Sequence, residues 1–342
     1  MRKMLNTLYV TTQGAYLNKE GETVVVNIDG ESRVRLPIHT LSSIVCFGRV
    51  SCSPFLIGHC AENDVSVSFM TAYGRFLARV VGPVKGNVLL RREQYRRADD
   101  LRAAGQLARM FVMGKVANCR TVLGRALRDH HDKVDSAKME RIVSLFSHVA
   151  RNLLRTEDLD DIRGTEGRAA NDYFGLFNDL IVAQKDGFVF AGRSRRPPLD
   201  PINCLLSFIY TLLHHDVRSA LETVGLDPAV GFLHRDRPGR LSLALDLMEE
   251  FRPLADRLVL SLINLGQVRK SGFKTTESGA VLMDDSTRKT VLIEYQKRKQ
   301  VEVEHPFLKE KMPMGMLPFS QAQLLSRYLR DDIEEYPPYL WR

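Results

Sequence analysis

Acidic residues and a histidine occur in three separate segments whose surroundings could hold a reactive centre. Glu166 stands between two glycines, where a turn is expected to lead into the first turn of a helix. His234 ends a Gly-Phe-Leu-His sequence in a loop between two apolar helical patterns. Asp246 and Glu249 lie three residues apart among apolar residues, so they would share one helical face. Carboxylates buried in this way are costly unless they are paired or bind a metal ion.

Together, Glu166, His234 and Glu249 would provide two carboxylates and one imidazole. This donor set suits Mg²⁺ or Mn²⁺, with positions left for water and a phosphate group. A metal ion held there could polarise a phosphodiester and lower the pKa of a bound nucleophile. Each residue also has a structural explanation. Glu166 near a helix start would complement the helix dipole, and a lone His such as His234 commonly packs in a core. The acids near position 249 could face solvent, with Arg252 paired to one of them. Local patterns do not show that the segments meet, so both explanations stay open.

The positive charge of the chain is concentrated in one stretch. The 342 residues carry a formal charge of +8, and residues 85–130 contain eleven Lys and Arg against four Asp and Glu, a net +7. Such a run is either the solvated face of a helix or a surface that follows nucleic-acid phosphates, and the two readings are even. Arginine predominates here, and its planar guanidinium suits phosphate oxygens. The candidate DNA contacts, in this stretch and in a second basic segment, are Arg91, Arg92, Arg96, Arg97, Arg193, Arg195 and Arg196.

The elements that must position these residues change character near residue 85. Residues 1–84 contain short runs rich in Val, Ile, Thr and Phe between turn-forming residues, which is typical of β-strands. Beyond them, apolar residues recur with a helical period. We therefore predict an α+β fold, with a small N-terminal β domain at residues 1–84 and a larger all-helical catalytic and DNA-binding domain at residues 85–342. One helical stripe repeats every four residues and consists of Leu107, Phe111, Lys115, Cys119 and Leu123.

Two helices are predicted beside the candidate centre. Asp200 can cap a helix that Pro201 begins, and this helix should run to about residue 224. A second helix is expected over residues 241–252, where Pro253 would end or kink it.

Several classes of protein are excluded by the composition. No apolar run approaches the length of a membrane span, and the start of the chain lacks the apolar core of a signal peptide. The five cysteines are odd in number and form no CxxC pair, which favours reduced thiols in a cytoplasmic protein. No phosphate-binding loop supports ATP hydrolysis.

The ordered set of segments resembles the Cas1 family of CRISPR-associated endonuclease-integrases. The matching segments are the one around Glu166 and residues 193–207, 231–234 and 242–253, in the order and spacing of that family. The likeness extends over nearly the whole chain, including the β-then-α layout. The end of the chain, residues 335–341, further resembles the subtype I-C branch of the family.

The resemblance implies a metal site and a reaction. The implied ligands of Mg²⁺ or Mn²⁺, and the catalytic residues, are Glu166, His234 and Glu249. Asp246 would be a second acidic residue near the metal, and Arg252 a basic residue that steadies phosphate, while Glu250 is expected to be a surface or helix-end charge. The implied reaction is attack of a DNA 3′-hydroxyl on a phosphodiester of the CRISPR repeat, which inserts new spacers, with hydrolysis of branched DNA at the same site.

The resemblance also implies partners. These are double-stranded protospacer and repeat DNA, a second copy of the chain, and the small protein Cas2, with dimer and partner contacts on residues 1–84 and no membrane involved. The alternative is a non-catalytic DNA-binding scaffold, in which the acidic residues are structural and the basic stretch is the working surface.

Overall fold

The computed structural model describes residues 6–63, 65–74, 76–80, 82 and 88–341. Contacts within the chain divide it into two compact units. The first contains the described residues before position 86, together with Arg288–Val303 and Pro313–Met316, and the second contains the rest. Lys85 and the predicted boundary between residues 84 and 85 lie outside the described residues.

The N-terminal part of the first unit is built from two four-stranded sheets and a helix. Valine-rich runs form its central strands, since β-branched side chains suit a pleated, half-buried surface. One sheet has the order β1-β5-β7-β8, with β8 antiparallel to its neighbour, and the other has the order β4-β3-β2-β6. Apolar side chains from both sheets and the helix pack into one core. The elements are β1 (Asn6–Val10), β2 (Tyr16–Glu20), β3 (Thr23–Ile28), β4 (Glu31–Pro37), β5 (Leu41–Phe47), β6 (Ser51–Cys52), α1 (Pro54–Glu62), β7 (Ser66–Met70) and β8 (Phe76–Arg79).

After residue 87 the chain is mainly helical, and the predicted α+β fold class is confirmed. The longest helix, α3, contains the four-residue stripe, and all five of its members are buried. Two short two-stranded sheets, which the sequence did not predict, add to the helices. The elements are α2 (Val88–Asp99), α3 (Leu101–His130), α4 (Ser136–Leu153), α5 (Leu159–Phe174), α6 (Pro201–Thr223), α7 (Ser242–Met248), α8 (Arg252–Asn264), β9 (Phe273–Thr275), β10 (Val281–Met283), α9 (Asp285–Gln300), β11 (Glu302–Glu304), β12 (Lys311–Pro313) and α10 (Leu317–Leu329).

The predicted helix that Pro201 begins is confirmed as α6. The carboxylate of Asp200 accepts a hydrogen bond from the backbone N–H of Asn203 at 2.8 Å, which satisfies one of the unpaired donors at the helix start. The helix ends at Thr223, within one residue of the predicted end. It packs against α7, α8 and α10, and thereby supports the segment that contains Glu249.

The single helix predicted over residues 241–252 is wrong. α7 ends at Met248 and α8 begins at Arg252, so that Glu249, Glu250 and Phe251 form a turn between them. Pro253 stands in the first turn of α8, where its missing N–H costs nothing, whereas in a continuous helix its ring would clash with the preceding turn.

The expected position of Glu166 at a helix start is also wrong. α5 begins at Leu159, where the carboxylate of Asp158 caps the N–H groups of Asp160 and Asp161. Glu166 therefore lies about two turns inside the helix, and its flanking glycines are helical residues rather than a turn.

None of the helices in the described ranges is both long enough and apolar enough to cross a membrane. The five cysteines are free thiols.

Candidate active site

Two of the three predicted ligands, Glu166 and Glu249, meet at the side chain of Lys115, and the third, His234, lies beside Glu249. Lys115 projects from α3 and is only 8% exposed. Its ammonium group donates a hydrogen bond to Oε1 of Glu166 on α5 and lies 2.7 Å from Oε2 of Glu249. Nε2 of His234 lies 4.0 Å from Oε1 of Glu249. Segments far apart in the sequence therefore meet at one place, which local patterns left open.

The arrangement around Lys115 is that of a salt-bridge cluster rather than a formed metal centre. Across the described ranges, no three His, Cys, Asp or Glu side chains stand close enough together to hold a metal ion. However, oxygens of both Glu166 and Glu249 converge on one cation, the Lys115 ammonium. Oε2 of Glu249 is buried and makes this ion pair without hydrogen-bond geometry. The donor set, two carboxylates and an imidazole, suits Mg²⁺ or Mn²⁺.

Positively charged neighbours stabilise the ionised form of Glu249. It is 3% exposed, and burial by itself raises the pKa of a carboxyl group. The guanidinium of Arg252, the ammonium of Lys115 and His234 outweigh that effect and lower the pKa of Glu249 from 4.5 to about 2. For Lys115, burial lowers the pKa, but Glu249 and Glu166 together raise it above 10.5. Both groups are therefore charged at neutral pH.

Asp246 fixes the orientation of His234. This carboxylate is fully buried and accepts backbone N–H bonds from Phe232, Leu233 and His234 at 2.6, 2.9 and 3.0 Å. One of its oxygens also lies 2.6 Å from Nδ1 of His234. The hydrogen bond to this carboxylate assigns a proton to Nδ1 of His234 and turns Nε2 toward Glu249. Asp246, predicted as an accessory acid, thus uses both oxygens to hold the histidine loop.

The close approach of this loop requires a glycine at position 231. A Cβ atom on Gly231 would stand 2.7 Å from an oxygen of Asp246 and 2.7 Å from the backbone carbon of Ser242. No side chain fits there without moving the loop that carries His234.

Arg252 contacts Glu249 at Oε1, whereas Lys115 contacts Oε2. Nε of Arg252 donates to Oε1 of Glu249 at 2.8 Å, and the guanidinium stacks over the ring of Tyr210 at 4.8 Å. The guanidinium of Arg193 also lies over the Tyr210 ring, at 5.3 Å. The Tyr210 hydroxyl donates to buried Asp256 at 2.5 Å, so the ring that orients Arg252 is itself fixed.

Glu250 was expected to be a surface or helix-end charge, and this expectation is wrong. The residue is fully buried, and its side chain contacts residues 336–341, which we call the C-terminal strap. Its carboxyl oxygens accept hydrogen bonds from the Tyr336 hydroxyl at 2.7 Å, the Gln321 amide at 2.9 Å and the Tyr339 backbone N–H at 2.8 Å. Burial raises the pKa of Glu250 from 4.5 to about 8, although these three donors lower it. The turn between α7 and α8 interrupts the helical face that the sequence assigned to Asp246 and Glu249.

The C-terminal strap is tied to α3 as well. Asn118, one turn beyond Lys115, donates to the backbone carbonyls of Glu250 and Tyr339 and accepts from the backbone N–H of Trp341, each within 2.8 Å. The guanidinium of Arg125 lies 4.4 Å from the centroid of the Trp341 ring. The strap therefore links α3 to the turn that contains Glu249.

The candidate DNA contacts fall into two groups. Arg92, Arg96, Arg195 and Arg196 are exposed, and Arg91 is half-buried. Arg97 is held by ion pairs to Glu93 and Asp331, and Arg193 packs against Tyr210. DNA binding by these arginines stays a prediction.

Three functional residues were missed by sequence reasoning. Lys115 was counted among the basic residues, although a charged residue within an apolar four-residue stripe is a signal of a buried ion pair. Tyr210 and Asp256 are separated by 46 positions on two apolar helices, and no local pattern indicates that they meet.

The sequence matches known proteins over most of its length. The family model "CRISPR associated protein Cas1" matches residues 8–297. The chain is 57% identical, over the full length of both sequences, to a protein of Chlorobaculum tepidum described as CRISPR-associated endonuclease Cas1 1.

Two solved structures share the fold. A casposase bound to its integration product has a TM-score of 0.83 and 22% identity, and covers 98% of this chain and 94% of its own. A Cas6-RT-Cas1–Cas2 complex has a TM-score of 0.78 and 20% identity, and the match covers 98% of this chain and 36% of the chain in the complex. The family model and the full-length relative show that the chain belongs to the Cas1 family of CRISPR-associated proteins.

Proposed function

We propose that this protein is a metal-dependent DNA endonuclease and integrase that inserts new spacers into a CRISPR array. The observation that carries the proposal is the convergence of the Glu166 and Glu249 carboxylates on one cation, with Nε2 of His234 facing the same carboxylate. A full-length relative at 57% identity has the name CRISPR-associated endonuclease. The reaction is attack of a DNA 3′-hydroxyl on a repeat phosphodiester, and water in place of the hydroxyl gives cleavage of branched DNA.

Glu166, His234 and Glu249 would hold Mg²⁺ or Mn²⁺, which supplies Lewis-acid stabilisation of the negative charge that develops on the phosphate. Asp246 holds the Nδ1 side of the His234 ring and so leaves Nε2 as the nitrogen directed toward Glu249 and a ligand. Arg252, stacked on Tyr210, sets the rotamer of Glu249 and places a fixed positive charge beside the site. A scaffold that only binds DNA would not need Asp246, buried with both oxygens committed to a histidine loop.

The partners that follow are double-stranded DNA, a second copy of the chain and Cas2. Support comes from the two neighbouring structures, since one is a casposase bound to its integration product and the other contains Cas2. Residues 1–84 would provide the dimer and Cas2 contacts. The exposed arginines at positions 92, 96, 195 and 196 are candidate contacts to DNA phosphates.

We also propose the cytoplasm as the place of action and subtype I-C as the branch of the family. Five free cysteines suit a reducing compartment. The subtype proposal rests on the resemblance of residues 335–341 to that branch.

Strand transfer of a short duplex into a repeat-containing plasmid, with and without Cas2, tests the function. The Glu249→Gln variant keeps the volume of the side chain and removes its charge, so we expect strand transfer to be lost while duplex binding by gel shift is kept. Asp158→Asn, which preserves the cap of α5, is the matched control and should behave as the wild type. Chelation by EDTA should stop the reaction, and Mg²⁺ or Mn²⁺ should restore it. Normal strand transfer by Glu249→Gln would refute the role given to Glu249, whereas no strand transfer by the wild-type protein would favour the scaffold alternative.

A further inference from the structure

Lys115 stands at the place where the two candidate carboxylate ligands meet. Its ammonium group contacts Oε1 of Glu166 and lies 2.7 Å from Oε2 of Glu249, and the side chain is almost fully buried. These carboxylates are separated by 83 positions in the sequence, yet their facing oxygens share one positive charge. Nothing in the metal chemistry of the proposed function assigns a role to this lysine.

An ammonium and a divalent cation cannot use the same pair of oxygens at once. Oxygen ligands stand about 2.0–2.1 Å from Mg²⁺, so a metal ion bound to both carboxylates would take the space in which the ammonium nitrogen now contacts them. Two positive groups that close also repel strongly where water is excluded. A metal ion that binds both Glu166 and Glu249 must therefore displace the Lys115 ammonium.

Arg252 also contacts Glu249, but it is placed to remain when a metal binds. It contacts Oε1 of Glu249 and is fixed by the face of Tyr210 at 4.8 Å. Lys115 contacts one oxygen of each acid, Oε1 of Glu166 and Oε2 of Glu249. Its flexible four-carbon side chain can move away from them by changing rotamer. The lysine, rather than the arginine, is the group that competes with a metal.

We propose that Lys115 is a built-in cation that occupies the metal position of this site, and that a divalent metal binds only by displacing it. The proposal deepens the proposed function, on whose ligand assignment it rests. Lys115 stabilises the metal-free protein by neutralising two acids that would otherwise repel each other. The same contacts weaken the affinity for metal, so Lys115 is a positioning residue that sets the metal concentration at which the site is loaded.

The experiment is a calorimetric titration of EDTA-treated full-length protein with MnCl₂ in the absence of DNA, which does not depend on activity. Lys115→Gln removes the competing charge and should tighten the dissociation constant for Mn²⁺ by about tenfold or more, given the strength of close like-charge repulsion away from water. The melting temperature of this variant should fall without metal and rise more steeply with Mn²⁺ than that of the wild type. Lys299→Gln, which replaces a buried lysine of the first unit, should bind Mn²⁺ as the wild type does.

Lys115→Arg provides a second test if Lys115→Gln does not fold. Arginine stays charged and binds carboxylates through two parallel hydrogen bonds, so it is a stronger competitor and should weaken Mn²⁺ binding. The proposal is overturned if folded Lys115→Gln binds Mn²⁺ no more tightly than the wild type. It is also overturned if Lys115→Arg binds Mn²⁺ as tightly as the wild type or more tightly. Absence of Mn²⁺ binding from both the wild type and Lys115→Gln would overturn it too. Glu249→Gln separates the two ideas, because undiminished Mn²⁺ binding by this variant refutes the ligand assignment itself.

Discussion

Replacing Asp246 with Asn should disturb the candidate site although none of the proposed metal ligands is replaced. The Asp246 carboxylate accepts four hydrogen bonds, from three successive backbone N–H groups and from Nδ1 of His234. Asn has one acceptor oxygen, so in either orientation its NH₂ group faces two N–H donors. Hydrogen bonds to charged groups contribute ~1.5–3 kcal/mol each. Allowing for relaxation of the loop, we expect the free energy of unfolding to fall by about 3 kcal/mol.

The same substitution should loosen His234 and lower the affinity for Mn²⁺ by about 10–100-fold, as expected when the partner of a ligating histidine is removed. Urea unfolding measures the first quantity, and calorimetric titration with MnCl₂ measures the second. Asp158→Asn is the matched control, because Asn caps a helix as well as Asp does. The role given to Asp246 would be refuted if the free energy of unfolding fell by less than about 0.5 kcal/mol and the affinity for Mn²⁺ did not change.

Three further changes follow from the buried network around the centre. Glu250→Ala should lower the free energy of unfolding by more than about 2 kcal/mol, because the buried N–H of Tyr339 and two other donors lose their acceptor. Urea unfolding measures this change, and a change of less than about 0.5 kcal/mol would be that of an ordinary surface residue. Trp341→Ala should cost about 3 kcal/mol through lost packing against Arg125, measured in the same way, and a neutral result would show that the C-terminal strap is not bound in solution. For His214, burial followed by the charges of its neighbours lowers the pKa from 6.5 to about 3. Its stabilising effect is therefore present above pH 6.5 and is lost as the pH falls toward 3, so His214→Gln should remove up to about 1.4 kcal/mol per pH unit from the slope of stability in that window. An unchanged slope between pH 6.5 and 4 would contradict this.

The sequence predicted what depends on local chemistry. Asp200 followed by Pro201 defined the start of α6, and the change from strand runs to a helical period indicated the α+β fold. The ordered motifs identified the family. By contrast, the helix break before Pro253 was misplaced by a few residues, because proline is tolerated in a first turn as well as after a last one.

Contacts between distant segments could not be predicted. Glu250 and Glu249 are adjacent and chemically identical, yet one faces Lys115 and Arg252 while the other faces the C-terminal strap. The turn between α7 and α8 determines which way each of the two side chains points. Helical periodicity in the sequence does not predict such a turn. Lys115 was visible as a charge in an apolar stripe, but its partner acids lie 51 and 134 positions away.

The C-terminal strap makes the order of synthesis matter. All proposed ligands, Lys115 and Arg252 leave the ribosome before residues 336–341 exist. Until those residues emerge, Glu250 lacks the Tyr336 and Tyr339 donors, and Asn118 lacks the backbone of Trp341. The turn next to Glu249 is therefore left with buried polar groups that have no partners, a state that native folds avoid. A polypeptide that has been made only as far as residue 335 would thus contain every proposed ligand, while the turn next to Glu249 lacked the hydrogen-bond partners of its buried groups.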